Sequence, residues 1–160
     1  MKKVVCAVAL LFALQGLSFA QDASKQAAKK TAKDYITDLS SKDESVVISA
    51  ADWLGTEKES DALPRLKSLL KEDNRHKVRL SAAMAIGYIG EESSLDSLNE
   101  QLLREQVADV RYAIVLAITR VGISEKKHLD ILKQARERES DPLVKDYYDK
   151  MWSAFTKKAD

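Results

Sequence analysis

The feature that most constrains this chain is an internal repeat. Val46-Val47-Ile48-Ser49-Ala50-Ala51 aligns with Val78-Arg79-Leu80-Ser81-Ala82-Ala83, 32 residues later. Val110-Arg111 follows after another 32 residues and Val144-Lys145 after a further 34. Other landmarks keep step: Leu54-Gly55 falls on Ile86-Gly87, Ala117-Ile118 on Ala85-Ile86, and Gly122 on Gly90. The two extra residues sit in a turn, since Gly90 precedes Leu95 by five positions whereas Gly122 precedes Leu129 by seven. A unit of this length cannot bury its own apolar face, so it must stack on its neighbours.

Each unit reads as two helices. Glycine and proline number only 5 and 2, Ala, Leu, Lys, Glu and Asp dominate, and no stretch alternates apolar and polar residues long enough for a strand. Every copy carries a second apolar segment at helical spacing: Leu63, Leu66, Leu69 and Leu70, then Leu95, Leu98 and Leu102, then Leu129, Leu132 and Ala135. Ser93 and Asp96 are spaced as a capping box, Ser60 or Asp61 precedes a first-turn Pro64, and Asp141-Pro142 opens the last copy. The expected fold is therefore all-α, a short alpha-solenoid of about three and a half helix-turn-helix units. The units span about 43–73, 74–106 and 107–140, with a half unit over 141–156. A lone capping helix over 32–41 carries Tyr35, Ile36 and Leu39.

Val78-Arg79-Leu80-Ser81-Ala82-Ala83-Met84-Ala85-Ile86-Gly87-Tyr88-Ile89-Gly90 resembles the first helix of a HEAT or HEAT-like repeat, which runs roughly Val-Arg-x-x-Ala-Ala-x-Ala-Leu-Gly-x-Ile-Gly. The match is fullest in the second copy and covers about residues 43–155. The resemblance implies a solenoid whose second helices line the concave side; it implies no particular activity. Some departures stand out. Trp53 takes the small slot of Ala85 and Ala117, Val47 replaces the arginine, and Thr119 replaces the first glycine of the third turn, so local irregularity is expected.

At the N-terminus, Lys2 and Lys3 precede the apolar run Val4 to Leu14, and Ser18-Phe19-Ala20 places small residues three and one positions before a cut. Residues 1–20 thus read as a secretory signal peptide cleaved before Gln21, with a polar segment at 21–31. The apolar run is shorter than the roughly 20 residues of a spanning helix, so no stable membrane insertion is expected after cleavage. Cys6, the sole cysteine, leaves with the leader, so no disulfide staples the remainder. The expected location is the periplasm, or outside the cell. The 26 basic and 25 acidic residues are mixed along the chain, which argues against nucleic acid as a partner.

Catalytic motifs are missing from the sequence. His76 and His128, its two histidines, read as surface turn residues without neighbouring ligands at metal spacing. The glycines outside the leader, Gly55, Gly87, Gly90 and Gly122, read as helix C-caps, and no serine lies in a nucleophile elbow. Arg79, Arg111 and Lys145 share one repeat slot, and such an arginine is expected to pair with acids between neighbouring helices. No catalytic residue, metal ligand or cofactor is expected.

Attention therefore falls on surfaces. On the second helices, Lys67, Asn99 and Lys133 form one solvent-facing lane and Ser68, Glu100 and Gln134 the next. On the last helix Tyr148, Met151, Trp152 and Phe155 fill slots that are small or aliphatic elsewhere, and they either cap the array or meet a partner. The expectation is a non-catalytic, exported scaffold or adaptor that binds another protein. Its rivals are a ligand-binding or lyase-like enzyme module on the same fold, marked by a deep pocket with convergent polar groups, and a subunit self-associating through its last helix.

Overall fold

The computed structural model describes residues 30–122 and 126–156, with side chains through Ser153. The chain divides into two units, 1–30 and 31–160. The expected leader and its cleavage site lie outside the described residues, as do most of the segment 21–31 and the side chain of Phe155.

Eight described α-helices build the second unit: α1 (Ala32–Asp38), α2 (Glu44–Thr56), α3 (Leu63–Glu72), α4 (His76–Ile89), α5 (Leu95–Leu102), α6 (Ala108–Val121), α7 (Lys126–Arg138) and α8 (Pro142–Thr156). None of them is long and apolar enough to cross a membrane. Two layers result. The first helices α2, α4, α6 and α8 stack in order, the second helices α3, α5 and α7 stack beside them, and α1 packs on α2. Leu54, Leu66, Leu70, Ile86, Leu98, Ile114, Ile118 and Leu132 are fully buried in the core. This is the all-α solenoid class that the repeat demands.

Local signals set the helix ends. Asp43 Oδ1 accepts the Ser45 N–H at 2.8 Å to open α2, and Asp141 Oδ1 accepts from Leu143 and Val144 to open α8. The expected Ser93–Asp96 box does not form; Glu92–Ser94 make a 3-10 turn and the Ser93 hydroxyl donates to Glu91 instead.

The glycines divide into two kinds, which corrects the reading of all four as caps. Gly90 closes α4 at φ +79°, a left-handed geometry that L side chains rarely adopt. Gly55 and Gly87, by contrast, lie inside α2 and α4, where a Cβ would meet the Cα of Ala85 at 2.8 Å and of Ala117 at 2.6 Å. Each Gly/Ala pair lets two first helices touch backbone to backbone. The corresponding pair at the next boundary is Thr119 and Met151, whose side chains meet at 3.3 Å. They fill the space that the glycine left open, so α6 and α8 cannot approach as closely. At the other end Trp53 occupies the small slot because it faces α1 rather than a further first helix, and it stacks on Tyr35 with ring centroids 4.1 Å apart.

Candidate ligand site at the last repeat boundary

Ser41, Asp73, Glu105 and Glu139 hold one slot in successive turns, and each accepts the backbone N–H two residues on. That N–H opens the next first helix and has no partner within it. In the last two turns the carboxylate also receives an arginine from the preceding first helix. Arg79 reaches Glu105 through Nε and Nη2, both at 2.9 Å, and Arg111 reaches Glu139 at 2.7 and 2.6 Å. Burial raises the Glu105 pKa, but the Arg79 bonds, the Val107 N–H and the Gln101 amide outweigh it and hold the group at about 2. The arginine slot is thus structural at Arg79 and Arg111, while Lys145 is exposed. Sequence reading missed the two glutamates, although the slot of Ser41, Asp73, Glu105 and Glu139 recurs at 32, 32 and 34 residues, in step with the repeat.

Two cavities flank the turn 139–141. The first is a cleft of about 300 Å³ between α6 and α8. Tyr112 and Tyr147 meet there edge to face, centroids 5.1 Å apart; the slot of Tyr147 holds Ala113 and Ser81 in earlier copies. Asp109, Asp141 and Asp146 line the cleft against a single cation, Lys150, which pairs with Asp146 at 2.6 Å. Leu143 at its edge is 77% exposed. The cleft combines aromatic rings, an aliphatic lip and net negative charge.

The second cavity, about 280 Å³, lies on the other side of the turn and has polar walls from Glu105, Arg111, Arg138, Glu139 and Tyr148. Tyr148 is fully buried and its hydroxyl has no hydrogen-bond partner among the described residues. Burial, seconded by Glu139 and opposed by Arg111, pushes the phenol pKa well above its ordinary range.

The expected lanes are only partly free. Lys67 and Ser68 are half-buried and share a small groove with Glu100, where Lys67 Nζ donates to the Ser93 carbonyl at 2.9 Å. Lys133 and Gln134 are exposed on α7. Asn99 is not solvent-facing: it is 2% exposed, and its amide nitrogen lies 2.6 Å from Nδ1 of His128, itself buried rather than a surface turn residue. Stacking of α7 on α5 makes both inward-facing. On α8, Tyr148 and Met151 are core residues, not contact residues, and Trp152 is half-buried against that core. Among the described residues, no three His, Cys, Asp or Glu side chains are grouped to hold a metal ion.

The family model of HEAT repeats matches residues 32–119 and 75–146. A deoxyhypusine hydroxylase of Candida albicans is 30% identical over 82% of this chain and 42% of its own length. The deoxyhypusine hydroxylase of Saccharomyces cerevisiae is 33% identical over 67% of this chain and 35% of its own. The chain therefore spans about two fifths of these relatives. Among solved structures, the complex of CpcE and CpcF of phycocyanin lyase from Nostoc sp. matches with a TM-score of 0.59 at 24% identity, over 69% of this chain and 43% of that one, a likeness of fold. The relatives overturn the expectation of a non-catalytic scaffold, because the proteins whose repeats these resemble in sequence are enzymes.

Proposed function

The chain belongs to the HEAT-repeat family, and on that premise we propose that it is a ligand-binding module of an enzyme, seating a cationic alkyl-ammonium group of its substrate between α6 and α8. The observation that carries the enzyme reading is the identity with deoxyhypusine hydroxylases over two thirds or more of this chain. Support for the seat comes from the cleft, which is lined by the Tyr112 and Tyr147 rings, by Asp109 with a carboxylate unpaired among the described residues, and by Leu143, whose aliphatic side chain suits an alkyl stem. Hydroxylation of a saturated carbon needs a redox-active centre, commonly iron held by histidines and a carboxylate. The described residues assemble no such donor set, so that step is not assigned to them.

Export remains part of the proposal, resting on Lys2, Lys3, the apolar run and Ser18-Phe19-Ala20. The seat is tested by titrating the full chain with a short end-blocked peptide bearing one lysine and with its acetyl-lysine counterpart. Binding of the first alone, weakened by Asp109→Asn and by Tyr112→Leu, is the expected result. Equal binding of the acetylated peptide, or no binding of either, would remove the cationic seat from the proposal.

A further inference from the structure

On the face that lines the cleft between α6 and α8, the last copy departs from its own repeat. Asp146 stands in the slot of Ile48, Leu80 and Tyr112, and Lys150 in the slot of Asp52, Met84 and Leu116. Both slots are apolar or aromatic in the second and third copies, whereas the fourth puts an acid and a base there, one helical turn apart. Both of these side chains line the cleft.

The three carboxylates of the cleft are differently engaged. Asp141 Oδ1 is committed to the N–H groups of Leu143 and Val144 at the start of α8. Asp109 has no hydrogen bond or ion pair among the described residues. Asp146 Oδ2 accepts from Lys150 Nζ at 2.6 Å. That bond and the Asp146 charge raise the lysine pKa, and Tyr112 adds to them, so the ammonium lies within reach of the ring's field. Lys150 therefore stands where an acid-lined, aromatic cleft draws an ammonium group. Its hold is weak. The Lys150 and Asp146 side chains are 73% and 58% exposed, and an ion pair so open to water contributes little. An arriving ammonium that takes Asp146 replaces one cation by another, and the flexible stem of Lys150 carries the released charge into water.

We infer that Lys150 is a built-in competitor of the cationic seat: it holds the Asp146 carboxylate in the ligand-free chain and is displaced by the ligand's ammonium. The inference rests on the seat proposed above and adds which carboxylate receives the ligand and what limits its affinity.

The full chain, labelled with carbon-13 at lysine Cε, is titrated with the unlabelled, end-blocked peptide bearing one lysine. The Lys150 signal, identified by its loss in Lys150→Met, should move toward the position of exposed lysines as the peptide saturates. Lys150→Met puts the residue type of Met84 in the slot and should bind the peptide about two- to fivefold more tightly, the scale of a surface ion pair. Lys145→Met removes the same charge from an exposed position of α8 outside the cleft and should gain far less. In an Asp146→Asn background the gain from Lys150→Met should vanish. Four results would overturn the competitor while leaving a seat on Asp109: wild-type binding with no gain in Lys150→Met, an equal gain in Lys145→Met, a gain that persists with Asp146→Asn, or a Lys150 signal unmoved at saturation. Binding by Lys150→Met alone would support the competitor and remove only the wild-type seat. Binding by neither chain would overturn both.

Discussion

Glu105→Gln separates the electrostatic from the steric worth of the turn carboxylates. The Glu105 side chain is 2% exposed and its pKa is held at about 2, against an ordinary value of 4.5. A folded-state pKa below the unfolded one means that ionisation favours the fold above the unfolded value, and that this contribution is lost as pH falls through the folded value. A depression of this size corresponds to about 3 kcal/mol at pH 7. It should be nearly intact at pH 4.5, more than half gone by pH 3 and almost absent at pH 2. Glutamine does not titrate, yet it leaves the Arg79 guanidinium without its charge partner, so at pH 7 the variant should be less stable by about 3 to 5 kcal/mol. Glu139 and Asp73 are also depressed, so wild-type acid lability alone does not isolate Glu105. The difference between wild type and variant does. Urea denaturation followed by far-ultraviolet circular dichroism from pH 7 to pH 2.5 should show the stability gap shrinking by about 2 kcal/mol or more, mostly below pH 4.5. A gap that stays constant over that range would refute a depressed Glu105 and reduce the pair to a packing contact.

Gly87→Ala should destabilise the fold by about 2 kcal/mol or more despite the higher helix propensity of alanine, because the new Cβ would meet the Ala117 backbone; thermal denaturation reads this directly. Leu98→Ala should cost about 2 to 5 kcal/mol in denaturant titration, and Asn99→Ala about 1 to 3, since it strands Nδ1 of buried His128. An Asn99→Ala variant as stable as wild type would contradict that buried pair. Mass spectrometry of exported protein should find Gln21 at the N-terminus, and a species retaining Met1 would contradict the leader.

The repeat by itself fixed the class of fold. Residues such as Val78, Ile86, Leu95, Leu98 and Leu102 recur at helical spacing, and a helix pair with one apolar side has no stable arrangement except stacking on its neighbours. Sequence also placed the irregular boundaries at Trp53 and Thr119, since a bulky residue in a slot that is small elsewhere must change the local packing. It did not reveal which side each polar residue of a second helix faces. Asn99 shares the repeat slot of Lys67 and Lys133, which marks it as solvent-facing, and only the stacking of α7 on α5 encloses it with His128. By sequence Gly87 stands near a helix end and reads as a cap; its closeness to Ala117, 30 positions away, exists only in three dimensions. The two cavities beside residues 139–141 were beyond sequence for the same reason. They depend on how far α8 is kept from α6 and on which donors are already engaged, and both depend on distances between side chains far apart in the chain. Helical periodicity is a local property and survives in the sequence; closeness between repeats is a sum over all the contacts that form when they stack.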